Sequence, residues 1–196
     1  MSIEGVFRNS YEIAARCLDE FMNDAPTQAN LVVLAERLAG CFDSGGKVLV
    51  AGNGGSLADA MHFAEEWTGR FRKDRRALPA LVVCDPTHVT CGANDDGADY
   101  IFSRMVDAFA KPEDMVFLLS TSGNSQNLVL AAESAKAKGA TVVGFLGRGG
   151  GKLAPLCDIV VMAPGETSDR IQEIHMMTLH ILIEAVEIRL GLAEAW

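Results

Sequence analysis

The chain has 196 residues, of which 49% are apolar and 22% charged, with a net charge of −9 and a sequence pI near 4.9. That is the composition of one globular domain, neither disordered nor membrane-like, and no apolar run approaches the roughly 18 residues needed to span a bilayer. The acidic balance argues against general nucleic-acid binding, so an anionic ligand would have to be held by local donors against the overall field.

Two helical patterns open the chain. "EGVFRNSYEIAARCLDEFMND" sets Val6, Ile13, Cys17, Phe21 and Met22 along one stripe, and "QANLVVLAERLAGCFDSGG" continues similarly to a stop at Gly45–Gly46. "KVLVAG" reads as a short buried strand, followed by "NGGS" and a helix from about Ser56 to Arg70. The basic run "RFRKDRR", Arg70 to Arg76, reads as a solvated loop. "ALVVC" is a second strand, "YIFSRMVDAFA" a helix and "MVFLLS" a third strand. "SQNLVLAAESAKAKG" is a helix ending at Gly139, "TVVGFLG" and "DIVVMAP" are the fourth and fifth strands, and the last helix runs from about Ser168 to Leu190. Apolar strands alternating with helices predict an α/β fold, a parallel sheet covered on both faces. Ligands in such sheets sit at the carboxyl ends of the strands, where the Gly- and Ser-rich turns of this chain fall.

The five cysteines, Cys17, Cys41, Cys84, Cys91 and Cys157, are odd in number, widely spaced and without a CxxC pair. A disulfide framework or thiolate zinc site is not expected, and Cys84 and Cys157, beside apolar runs, read as core. Free thiols and an N-terminus without a signal-peptide pattern point to the cytoplasm.

At "LLSTSGNSQN" a strand becomes a helix through Ser120, Thr121, Ser122, Gly123, Asn124 and Ser125. A helix N-terminus has unpaired N–H groups and partial positive charge, and small hydroxyls beside it add donors. Together they can cradle a phosphate without a lysine. A simple N-cap needs one hydroxyl, and four are present here. "GNGGS", Gly52 to Ser56, is a second such turn; Leu57 excludes the dinucleotide-binding fingerprint, and no GKS or GKT ending makes it a P-loop. "GRGGGK", Gly147 to Lys152, reads as a flexible turn. His62 and Glu66 lie four apart on one helical face, while Gln172 and His180 lie eight apart, within about 80° around the axis. His175 is roughly 140° from His180. Either pair alone reads as a solvated surface feature. Together with the hydroxyl turn they describe a sugar-phosphate site, in which a carboxylate and an imidazole move protons at carbon.

"GNGGS", "DAMHFAEEWTGR", "STSGNS" and "DRIQEIHMMTLHILIE", in this order over nearly the whole chain, resemble the phosphoheptose isomerases of the SIS (sugar isomerase) family. The resemblance implies a three-layer, doubly wound, flavodoxin-like sandwich with a five-stranded parallel sheet. It implies a single SIS domain over 1–196, with residues 1–45 as a helical oligomerisation segment and 46–196 as the α/β core. It implies conversion of sedoheptulose 7-phosphate to D-glycero-D-manno-heptose 7-phosphate, the first step toward ADP-heptose for lipopolysaccharide or other surface polysaccharide. Cytoplasmic homotetramers with sites at subunit interfaces, one zinc per subunit, and no nucleic-acid or membrane partner are implied as well.

Carried over by motif, the zinc ligands are His62, Glu66, Gln172 and His180. The substrate contacts are Asn53, Gly54, Gly55, Ser56, Glu66, Asn94, Asp95, Ser120, Thr121, Ser122, Ser125, Asp169 and Gln172, and Arg70 matches a nearby family position. The family often has His after "GNGGS", where this chain has Leu57. Ketose–aldose interconversion moves a proton between C1 and C2 through an enediol, with Glu66 the candidate base, His180 the candidate acid and zinc a Lewis acid. An amide oxygen such as that of Gln172 is an uncommon zinc ligand. The rival class is a non-catalytic SIS protein that binds a replication initiator protein; such proteins share "RIQE" but lack the acidic residue at the Glu66 position. SIS etherases and glucosamine-type enzymes are longer and lack a match to "HFAEE".

Overall fold

The computed structural model describes residues 2–194, so the extreme ends of the expected 1–196 span lie outside the described residues. Its elements, in order, are α1 (Ile3–Asn23), α2 (Ala25–Asp43), β1 (Val48–Gly52), α3 (Gly55–Thr68), β2 (Ala80–Val82), α4 (Pro86–Asp95), α5 (Ser103–Phe109), β3 (Met115–Ser120), α6 (Gln126–Ala137), β4 (Thr141–Gly147), β5 (Ile159–Ala163) and α7 (Ser168–Arg189). All strand pairs are parallel, in the order β2-β1-β3-β4-β5. The expected doubly wound, flavodoxin-like sheet is therefore present, with its switch of winding direction between β1 and β3.

The strands are apolar on both faces because both faces are covered. Val48, Val50, Phe117, Leu119, Val143 and Phe145 pack under α1, α2, α3 and α7. The alternate residues Leu49, Ala51, Val116, Leu118 and Val142 pack under α5 and α6. Gly52 pairs in register with Leu119, so the turns that follow β1 and β3 start side by side at the carboxyl edge. No described helix is long and apolar enough to cross a membrane.

Three helices carry their own side-chain caps. Ser2 accepts from Gly5 N–H at the start of α1, Asp24 from Thr27 N–H at α2, and Asp85 from His88 N–H at α4. By contrast α3, α6 and α7 begin after Gly54, Ser125 and Thr167 with no side-chain cap. These three start at the carboxyl edge of the sheet, where free N–H groups are available to a ligand.

Several expectations change. Of the apolar stripe along α1, Cys17 and Phe21 are buried, while Val6 and Met22 are 51% and 57% exposed. α4 has no counterpart among the expected elements. All five cysteines are free, as expected, but Cys84 and Cys157 are only partly buried, and the core thiols are Cys17 and Cys41. The "RFRKDRR" segment is not simply solvated, because the Arg75 side chain is 2% exposed. "GRGGGK" is not a loose turn, because Gly150 packs against the hydroxyl-rich turn.

Candidate active site

The hydroxyl-rich turn is built around Gly123. Its φ is +63°, and a Cβ there would stand 1.9 Å from the carbonyl oxygen of Gly150, so only glycine fits. The two loops are further joined by Leu153 N–H donating to Gly123 O and Lys152 N–H donating to Asn124 Oδ1. Ser120 is buried, and its Oγ accepts from Gly123 N–H at 3.0 Å, which holds the turn. Asn124 N–H donates to Ser122 Oγ at 3.3 Å. Thr121 Oγ1 lies 3.1 Å from Ser168 Oγ on the first turn of α7, and Arg148 Nη2 donates to Ser168 Oγ at 3.3 Å. Ser125 precedes α6 without capping it, which leaves its hydroxyl free of that duty. Of the four hydroxyls, those of Ser120 and Ser122 accept from N–H groups of the turn itself, that of Thr121 meets Ser168, and that of Ser125 caps nothing.

The neighbouring turn is fastened to this one. Asn53 and Asn127 exchange reciprocal amide hydrogen bonds of 2.9 and 3.0 Å, bridging the β1–α3 and β3–α6 turns. Gly54 has φ +55°, and a Cβ on Gly55 would strike the Gln172 amide at 2.7 Å. The Gln172 Nε2 group donates to Ser56 Oγ at 3.3 Å. Asn53, Gly54, Gly55, Ser56 and Gln172 therefore gather beside the hydroxyl turn.

Further along α3 stands a second cluster. His62 Nε2 is 3.2 Å from Glu66 Oε1, and the His62 and His180 rings meet edge to face with centroids 5.0 Å apart. One ligand atom from each of His62, Glu66 and His180 lies within 4.8 Å of the others. Two imidazole nitrogens and a carboxylate oxygen form a donor set that suits zinc. Phe71 stacks on His180 with centroids 5.7 Å apart, and Arg72 pairs with Glu184 at 2.8 Å. Burial first, and then the charge of His62, hold the His180 imidazole below its ordinary pKa, against the opposing pull of Glu66.

Gln172 is the fourth ligand that the resemblance implies. Its amide lies against Gly55 and Ser56, six residues before His62, roughly 9 Å along the α3 axis. Eight residues also separate it from His180 on α7, about 12 Å of helix rise. Of the four expected ligands, His62, Glu66 and His180 lie together, and the Gln172 amide rests on Ser56 at the start of the same helix. Asn94 and Asp95 lie in the last turn of α4 and bond each other at 2.7 Å, while Cys91 Sγ donates to Asp95 at 3.2 Å. These contacts keep the exposed Asp95 carboxyl below the ordinary carboxylate pKa, that of Asn94 being the larger cause. Asp169 pairs with Arg170 at 3.1 Å and lines an open groove of about 790 Å³ with Ser10, Arg16 and Thr167, facing α1. Arg70 is exposed.

Sequence reasoning missed Asn127, Ser168 and Asp59. The carboxyl of Asp59 stands one turn before His62, has one buried oxygen without a hydrogen-bond partner, and is raised in pKa by burial. It stands in the quoted "DAMHFAEE", seven residues before Glu66 and so on its face, a spacing that was open to reading. No periodic signal marks Asn127 or Ser168, whose roles arise from turns brought together by the sheet.

A parallel sheet with uncapped helix starts at its switch point, a hydroxyl turn and an adjacent His–Glu–His cluster defines a sugar-phosphate-handling protein. The chain belongs to the SIS-domain family, whose domain matches residues 11–147. Within that family it stands with the phosphoheptose isomerases. It is 53% identical to the phosphoheptose isomerase of Fusobacterium nucleatum over 179 residues, covering 91% of this chain and 92% of the relative. It is 45% identical to that of Vibrio cholerae over 185 residues, covering 94% and 97%. The solved phosphoheptose isomerase of Neisseria gonorrhoeae superposes with a TM-score of 0.89 at 31% identity, over 95% of this chain and all of that one.

Proposed function

We propose that this protein is a phosphoheptose isomerase, converting sedoheptulose 7-phosphate to D-glycero-D-manno-heptose 7-phosphate through an enediol. The observation that carries the reading is the convergence of His62, Glu66 and His180 within 4.8 Å on the two helices that flank the hydroxyl turn. Thr121, Ser122 and Ser125, with the N–H groups at the start of α6, hold the phosphate; Ser120 holds the turn that presents them. Asn53, Gly54, Gly55, Ser56 and Gln172 bind the sugar beside it, with Asn94, Asp95 and Asp169 at the margin.

Glu66 takes the proton from C1 of the ketose, and its carboxylate returns a proton at C2 to give the aldose. His180, whose pKa burial lowers, offers an N–H to the substrate oxygens and takes a proton back as charge moves between them. His62 orients the Glu66 carboxylate through their 3.2 Å contact. The same three side chains would hold a zinc ion, and what zinc supplies when bound is Lewis-acid polarisation of the substrate carbonyl. Gln172 would supply the fourth ligand, and the reading includes a homotetramer whose sites lie at subunit interfaces. The reading places the enzyme in the cytoplasm, at the start of ADP-heptose supply for surface polysaccharide. The initiator-binding alternative is not favoured, since Glu66 is present and stands with both histidines. Incubation of the purified protein with sedoheptulose 7-phosphate, followed by proton NMR, is the test: the anomeric signals of a new aldose phosphate are expected, and their absence rejects the reading.

A further inference from the structure

Arg75 belongs to the segment between α3 and β2, in the middle of a basic run, yet its side chain is 2% exposed. Its guanidinium serves five acceptors. Nε donates to Glu187 Oε1 at 2.7 Å, and Nη2 donates to the carbonyl of Glu66 at 2.7 Å. Nη1 is shared among the carbonyls of Trp67, Gly69 and Arg76 at 2.9, 3.0 and 3.1 Å. The carbonyls of Glu66 and Trp67 lie at the end of α3, where the helix has no further N–H groups to satisfy them and a cation meets the negative end of the dipole.

The other anchor is on α7. Glu187 is buried, its side chain 4% exposed, and stands seven residues after His180, about two turns on and on nearly the same face. One planar guanidinium therefore joins the turn of α3 that carries Glu66 to the helix that carries His180. Contacts between the two helices advance together toward it, from Gln172 on Ser56 to His180 on His62. Arg75 closes that series.

We infer that Arg75, held by Glu187, is a positioning residue of the active site: it sets the spacing and rotation of α3 and α7 that bring His62 and Glu66 against His180. The inference rests on the isomerase reading of that trio. The competing role is simple stabilisation. A buried ion pair is weak ground for that role, because apolar residues of similar volume often replace one at no loss of stability. A fork reaching carbonyls of one helix and a carboxylate of another specifies geometry, which a lysine with donors at a single point cannot reproduce.

The test uses the full-length protein in two forms, Arg75→Lys and the double variant Arg75→Met with Glu187→Met. Steady-state kinetics on sedoheptulose 7-phosphate separates kcat from KM. Metal-free NMR follows the nuclear Overhauser cross-peak between the His62 and His180 rings, which four histidines in the chain make tractable. Positioning predicts a fall in kcat of about 10- to 100-fold, the scale of an ångström-sized misplacement, with KM within about twofold because the phosphate turn belongs to other elements. It also predicts a weakened His62–His180 cross-peak, with the signal of His88, on α4, unmoved. A kcat within about twofold of wild type, or a cross-peak of wild-type strength, in either folded variant overturns the inference. Arg75→Lys, which keeps charge and most of the volume, is decisive where the double variant does not fold. Should the wild type prove unable to isomerise the sugar, the cross-peak still decides the positioning role, so the two failures are told apart.

Discussion

His175 shares a helix with His180 but not its surroundings. It is fully buried, with Nε2 3.2 Å from the carbonyl of Leu146 and Nδ1 without a partner. Burial pushes its pKa down to about 4, so the fold holds it neutral. An unfolded chain protonates it near 6.5, and between those two values the unfolded state binds more protons. Stability present above pH 6.5 is therefore lost as pH falls toward 4, by up to roughly 3 kcal/mol. Urea melts at several pH values should show that slope in wild type and a shallower one in His175→Gln. At His62 the expected outcome concerns metal. Zinc bound to the folded trio should raise the melting temperature of wild type, and His62→Ala should lose most of that rise. The roughly 140° between His175 and His180 already separated the two histidines from sequence alone. Arg75 was not legible in that way: its partners are mostly backbone carbonyls, which carry no sequence signature, and a basic run reads as solvated.

Among the elements, the helices without side-chain caps carry the most information. The turn before α6 has hydroxyls to spare, and the strand-to-helix position was legible because an apolar run ends abruptly in small polar residues. Ser122→Ala and Ser125→Ala should each raise KM by a factor equivalent to about 1–3 kcal/mol, with kcat little changed, because the phosphate is held alike in substrate and transition state. The double variant should bind more weakly than either single one. A turn that served only the fold would instead lower the melting temperature and leave KM alone. α4 escaped notice for a physical reason. "PTHVTCGAND" combines β-branched residues, glycine and asparagine, all poor helix formers, and its helix is fixed by the Asp85 cap, Pro86 and packing. Asp85-Pro86 was the readable start signal.

For the whole molecule, the single chain leaves apolar surface that a lone domain has no use for. Ile3, Phe7 and Tyr11 on α1 and Val32 and Ile181 along the α2–α7 groove are all more than half exposed. That groove, of about 360 Å³, is lined by Leu31, Val32, Ala35, Ile181 and Leu182. Surface of this kind is covered by association, and the proposed homotetramer should show four times the 20.9 kDa chain mass by light scattering at micromolar concentration. Val32→Glu with Ile181→Glu should shift it toward smaller species. The central claim is that Glu66 moves a carbon-bound proton in a ketose–aldose isomerisation. Its most direct measurement is NMR of sedoheptulose 7-phosphate incubated in D2O with wild type and with Glu66→Gln. The account predicts an aldose 7-phosphate carrying deuterium at C2 from the wild type, and a rate lower by about a hundredfold or more from Glu66→Gln, in which phosphate-turn binding persists. An unchanged ketose with wild type, or an undiminished rate with Glu66→Gln, would contradict it.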